Sequence, residues 1–273
     1  MMKTRLLAAL LFCVAWASAA NAAPPAIDGS STWTTVASGT TITSTLTTTS
    51  TNDVIIIYVQ SDKSVSSVAD TAGLTWQQRA QVTNGTTHIA EWYASSAAVL
   101  TGDVITVTLS AATAGTGTAS FGVSGGDTVS PFDPAVVGSQ PTGTGTGAVS
   151  ISTLKASDLI LGFYKFNITS PTAGTGFTAV ISPVGIASLI ESKQVSAAQS
   201  NLSVAIGTGA SNVTAAIADA IVDPTVNNAE NASKATSYSV LNYGNTNSIS
   251  ATKTVSYIVL QQQTGGLWFH GFP

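Results

Sequence analysis

The sequence predicts an all-β protein: a β-sandwich, jelly-roll-like, built from two duplicated strand-rich halves. Three observations predict it. The first is internal repetition in conserved chain order, at an offset of roughly 100 residues. Asn52-Asp53-Val54-Ile55-Ile56-Ile57-Tyr58-Val59 returns as Ser157-Asp158-Leu159-Ile160-Leu161-Gly162-Phe163-Tyr164. Ala72-Gly73-Leu74-Thr75 returns as Thr175-Gly176-Phe177-Thr178, Ile89-Ala90-Glu91 as Leu189-Ile190-Glu191, and Thr118 to Val123 as Thr214 to Asp219. The second is composition: Thr, Ser, Ala and Gly dominate, and Thr is β-branched and suits a pleated, half-buried surface. The third is a series of short strand signals punctuated by turns about every 8–12 residues, the pattern of a sandwich.

In chain order, residues 1–22 read as a secretory signal peptide. Lys3 and Arg5 give the basic start, Leu6 to Ala17 an apolar stretch too short to span a bilayer, and Ala20-Asn21-Ala22 a small-x-small cleavage site. Cleavage there removes the single cysteine, Cys13, and with it any thiol nucleophile, disulfide or cysteine-ligated metal. It also removes two of the nine basic residues, leaving seven against thirteen acids, a net charge of −6. That balance lacks the basic footprint of a nucleic-acid binder. No later stretch reaches the roughly 20 apolar residues of a transmembrane helix. The expectation is a secreted, extracellular or cell-surface protein.

The first β half spans residues 23–135. Thr41 to Thr49 sets Ile42 and Leu46 on one face among Thr and Ser, while Val54 to Val59 is a continuous apolar run, as for a strand covered on both faces. After the Gly102-Asp103 turn, Ile105, Val107 and Leu109 alternate with Thr106 and Thr108, a half-buried strand. A Gly/Thr-rich crossing covers 136–147. The second half, 148–224, carries strand signals at Val149 to Leu154, Leu159 to Phe166, Phe177 to Ile181, Leu189 to Val195, Leu202 to Ile206 and Val213 to Val222. The last is Ala-rich, but its repeat partner around Ala119 to Val123 reads as strand and decides the matter. Residues 225–273 hold two more strand-like runs and an aromatic tail, Leu267-Trp268-Phe269-His270-Gly271-Phe272. One compact unit, its sheets completed by these added strands, is expected.

Asp70-Thr71-Ala72-Gly73-Leu74-Thr75-Trp76, Glu91-Trp92-Tyr93-Ala94, Gly102 to Val107 and Phe121-Gly122-Val123-Ser124-Gly125 resemble a group of secreted microbial cell-surface β-sandwich domains. The resemblance covers most of Thr40 to Pro224. It implies a jelly-roll or Ig-like sandwich and carries over no catalytic residue.

Several constellations could bear chemistry. Gly122-Val123-Ser124-Gly125-Gly126 fits the G-x-S-x-G nucleophile elbow, which needs a helix after the serine. Asp127-Thr128-Val129-Ser130-Pro131 cannot supply one, so a glycine-rich strand exit is expected. Glu91 and Glu191 are the candidates for a glycosidase-type acid pair, which must lie about 5–10 Å apart across the bond. Asp127 and Asp133 share a loop and are the candidates for a structural calcium, which needs only oxygen ligands. Trp76, Trp92 and Tyr93 are the candidates for a sugar-binding platform, although tryptophans also fill sandwich cores. The function expected is non-enzymatic: adhesion, matrix building or self-association, with carbohydrate binding to a cell-surface glycan as the alternative and glycan cleavage behind it. No cofactor beyond a calcium ion is expected.

Overall fold

The computed structural model describes residues 23–224, apart from 135–137, 142–146, 167–170, 184–186 and 208–212. The signal peptide, most of the crossing and the 225–273 segment thus lie outside the described residues. Every regular element among those described is a strand.

In the first half these are β1 (Ala26–Ser30), β2 (Thr34–Val36), β3 (Gly39–Leu46), β4 (Asp53–Ser61), β5 (Val65–Asp70), β6 (Gln77–Asn84), β7 (Thr87–Ser96), β8 (Asp103–Thr113) and β9 (Thr116–Ser124). In the second they are β10 (Gly138–Pro141), β11 (Val149–Ile151), β12 (Leu159–Phe166), β13 (Thr178–Ile181), β14 (Ser188–Gln194), β15 (Leu202–Val204) and β16 (Val213–Ile221). The Ala-rich segment is strand β16, as its repeat partner required.

The duplication is visible as topology. Sheet order β1-β9-β4-β7-β6 in the first half is matched by β10-β16-β12-β14-β13 in the second, and the outer sheet β3-β8-β5 by the pair β11-β15. All these pairings are antiparallel. Among the described residues no strand takes the place of β5. Successive strands of the first half pass back and forth between the two facing sheets, the jelly-roll habit.

Each half is therefore a small sandwich, and the two share a third layer of core. Strand β4 shows why. Its odd residues Ile55, Ile57 and Val59 pack with Ile42, Leu46, Ile105 and Val107 inside the first sandwich. Its even residues Val54, Ile56 and Tyr58 face the other way, against Leu161, Phe163 and Ile217 of the second half. In β12 the same split sends Leu161 and Phe163 to the shared layer and Ile160, Tyr164 and Phe166 to the second sandwich core. This is the physical meaning of the unbroken apolar runs: both faces are covered, so alternation vanishes. Aromatic rings knit the shared layer, with Tyr58 stacked on Phe163 at 5.3 Å between centroids and Phe163 on Phe121 at 6.2 Å.

Close backbone approach explains the glycine-rich strand exit at Gly122 to Gly126. A Cβ at Gly122 would stand 2.5 Å from the carbonyl oxygen of Asp28, where β1 lies across β9, and Gly125 has φ +70°. No helix follows Ser124, so the elbow geometry is absent here.

Candidate functional site

Register decides where the two glutamates stand. The turn residues Asn52 and Ser157 both have positive φ, 59° and 66°, and fix Asp53 as the counterpart of Asp158. Tyr58 then corresponds to Phe163. Tyr58 pairs with Glu91 on β7, whereas Phe163 pairs with Ile190 on β14. The halves are thus out of step by one residue, and a one-residue slip turns a side chain to the other face. Glu91 enters the layer between the halves, beside Ile89. Glu191 points into the second sandwich, where its oxygens accept hydrogen bonds from the Tyr164 hydroxyl (2.9 Å) and the Gly174 N–H (2.6 Å). Both are fully buried, on opposite faces of their sheets, and do not meet across a cleft.

Glu91 has other company. Arg79 on β6 crosses to Asp219 on β16, Nε to Oδ2 at 2.6 Å and Nη2 to Oδ1 at 3.1 Å, a bidentate pair joining the halves. Its guanidinium also lies 4.2 Å from the centre of the Phe132 ring, on whose edge Tyr93 packs. One cation thus serves two buried acids. Burial pushes Asp219 up to about 6 against the pull of Arg79, so it is ionised at neutral pH. Burial and the charge of Asp219 hold Glu91 well above the ordinary carboxyl range, against the pull of Arg79. Neither Glu91 oxygen has a hydrogen-bond partner.

A raised folded pKa means stability that is full below the unfolded pKa near 4.5 and is lost as pH rises toward the folded value. Glu91→Gln removes this loss while leaving Arg79 and Asp219 in place. Unfolding free energy of the variant, relative to wild type, should grow as pH rises above the ordinary carboxyl value, by up to about 1.4 kcal/mol per pH unit until the folded pKa is passed. Parallel pH profiles in denaturant titrations would contradict this account of Glu91.

The aromatic candidates split in the same way. Trp92 packs on the first sandwich core with Trp76, while its neighbour Tyr93 turns to the shared layer. Trp76 is half-buried and donates its Nε1–H to Asp70, and the Tyr93 hydroxyl donates to Gln77 Oε1 at 3.0 Å. These rings pack against two different cores, so Trp76, Trp92 and Tyr93 do not form one platform.

The calcium candidates take different hydrogen-bond partners. Asp127 accepts the N–H groups of Val129 and Ser130, closing its own turn. Asp133 is fully buried and accepts those of Leu154 (2.8 Å) and Lys155 (2.9 Å). Its counterpart is Asp28, which accepts those of Thr49 and Ser50.

An open cleft lies among the described residues. A cleft of about 460 Å³ opens where the ends of β2, β4 and β9 and the β6–β7 turn meet β12 of the second half. Its walls carry the Gln60 amide, the hydroxyls of Ser61, Thr86, Thr87 and Thr116, and the half-buried Lys165. Ser188 donates its hydroxyl to Gln60 Oε1 and Thr116 its own to the Gln60 carbonyl, which fixes that wall. Burial lowers the Lys165 pKa, and its ammonium has no ion pair among the described residues. The one acid in the wall, Asp62, spends its carboxylate on Lys63, Thr113 and the Ala114 N–H, which hold its pKa low. Sequence reasoning passed over Lys165. The signal was a lone cation inside the apolar run Leu159 to Phe166.

No family model, curated protein or solved structure matches this chain. Its class rests on the fold: an all-β protein of antiparallel sheets packed as sandwiches. No helix among the described residues is long and apolar enough to cross a membrane.

Proposed function

We propose that this is an exported, non-enzymatic binding protein of the cell surface or extracellular space, acting in adhesion by holding an acidic saccharide in the Lys165 cleft. The cleft carries this reading. A polyol needs hydroxyl and amide groups that both donate and accept, and Gln60, Ser61, Thr86, Thr87 and Thr116 provide them. An ammonium whose charge no neighbouring acid offsets favours a ligand with a carboxylate or sulfate of its own. The leader sequence and the resemblance to secreted surface domains favour an extracellular setting. A catalytic reading has less to stand on, since Glu91 and Glu191 are sealed in different layers.

The test is binding of the mature chain to immobilised polygalacturonate, with a neutral glucan beside it. Lys165→Met should weaken binding to the acidic polymer tenfold or more, with an unchanged melting temperature. Equal binding by the variant, or none by the wild type, overturns the proposal. Self-association is a second reading, favoured by β3. That edge strand has no charge and no proline to discourage pairing, and it turns Thr41, Thr43 and Thr45 to solvent. A monodisperse monomer in size-exclusion chromatography, with and without residues 265–273, would end it.

A further inference from the structure

We propose that the protein holds two equivalent calcium ions, one at Asp28 and Asp53 in the first half and one at Asp133 and Asp158 in the second. The two places are built alike to the level of single hydrogen bonds. The Thr48 N–H donates to the Leu100 carbonyl (2.9 Å), and the Thr48 hydroxyl accepts the Leu100 N–H (3.0 Å). Thr153 does the same with Gln199 (3.0 Å). The first aspartate of each pair holds the next two N–H groups, of Thr49 and Ser50 in one copy and of Leu154 and Lys155 in the other. A residue with positive φ, Asn52 or Ser157, then turns the chain and delivers the second aspartate.

That second aspartate is the unexplained part. Asp53 and Asp158 are both fully buried, and none of their four carboxylate oxygens makes a well-formed hydrogen bond, although the Thr48 and Thr153 hydroxyls lie near them and Asp28 lies beside Asp53. A buried polar atom without a partner is destabilising, and more so when charged. A chance defect would not recur at the same position of two diverged halves, each time facing a second carboxylate. A cation between the carboxylates satisfies the bare oxygens and offsets the like charges together.

The donor set selects the ion. The side chains at each place are all oxygen donors, two carboxylates and a threonine hydroxyl, with no histidine or cysteine for zinc or copper. Magnesium keeps several waters and demands a near-ideal octahedron. Calcium accepts irregular sets of protein oxygens. The ion would staple the edge segment bearing the first aspartate to the start of the strand bearing the second, in each half.

The experiment is calorimetric titration of the chelator-treated mature protein with calcium, and thermal melts in calcium, in magnesium and in chelator. Expected are two ions per chain and, at calcium about a hundredfold above its dissociation constant, a melting temperature raised by about 10 °C. Asp53→Asn and Asp158→Asn should each lower the stoichiometry to one. Absence of heat and of any shift in the wild type overturns the proposal, whatever the variants do. So does an equal shift with magnesium, or two ions still bound in either variant. Stability that climbs on acidification and ignores calcium would show that each pair shares a proton instead.

Discussion

Arg79→Ala should destabilise the protein by about 3–5 kcal/mol, a large share of the roughly 5–15 kcal/mol that a folded domain has. The arginine is the counter-charge for Asp219, which is nearly sealed between the two halves. Removing it leaves the Asp219 carboxylate ionised in an apolar layer, and Asp219 must take up a proton or water must enter. The lost contact with the Phe132 ring adds to the cost. Chemical denaturation followed by tryptophan fluorescence would show the midpoint falling sharply. The cost lies in the orphaned charge rather than in the value of the bond. The double variant Arg79→Met, Asp219→Leu should therefore recover most of the loss, because a well-packed apolar pair can match a buried ion pair. A double variant as unstable as Arg79→Ala would assign the role to packing of the arginine stem.

Much of this architecture was legible in the residues. The continuous run Val54 to Val59 announced a strand covered on both faces, and the alternation at Ile105, Val107 and Leu109 a half-covered one; both stand so in the structure. The Ala-rich β16 yielded to its repeat partner. What periodicity cannot express is which of two buried faces a side chain takes, and the pairing of Glu91 with Glu191 turned on that point. Matching Glu91 to Glu191 follows the letters but is one residue out of register, and one residue is the difference between two separate cores. The match of Thr118 to Val123 with Thr214 to Asp219 is out by two, which preserves the face. In the structure Phe121 corresponds to Asp219, both opposite β4–β12 partners of the shared layer.

The polar residues that matter most were hidden for a related reason. Strand β6, Gln-Gln-Arg-Ala-Gln-Val-Thr-Asn, has too little apolar content to read as a strand, yet it lies at the edge of the shared layer and supplies Arg79. Its partner Asp219 is distant in sequence, so no local spacing links them. The turn aspartates were visible in both halves. Their pairing was not, since Asp28 and Asp53 meet only once β1 has been laid along β9 and β4 beside it.

Phe163→Ala should cost about 3–5 kcal/mol and should destabilise both halves together. Phe163 is fully buried at the centre of the shared layer, stacked on Tyr58 and in ring contact with Phe121, both from the other half. Truncation opens a cavity that neither central sheet can close, because each is held by its own sandwich on the far side. Tyr58→Phe is the informative companion. The Tyr58 hydroxyl is buried without a partner, so deleting it relieves an unmet polar group while the stack is kept, and stability should hold or rise. If the shared layer couples the halves, Phe163→Ala will unfold in one transition with a lower midpoint, seen alike by circular dichroism and by the tryptophans, all of whose described members belong to the first half. Two separated transitions, with the tryptophan signal keeping the wild-type midpoint, would mean that each sandwich stands on its own core and that the layer between them is only a contact.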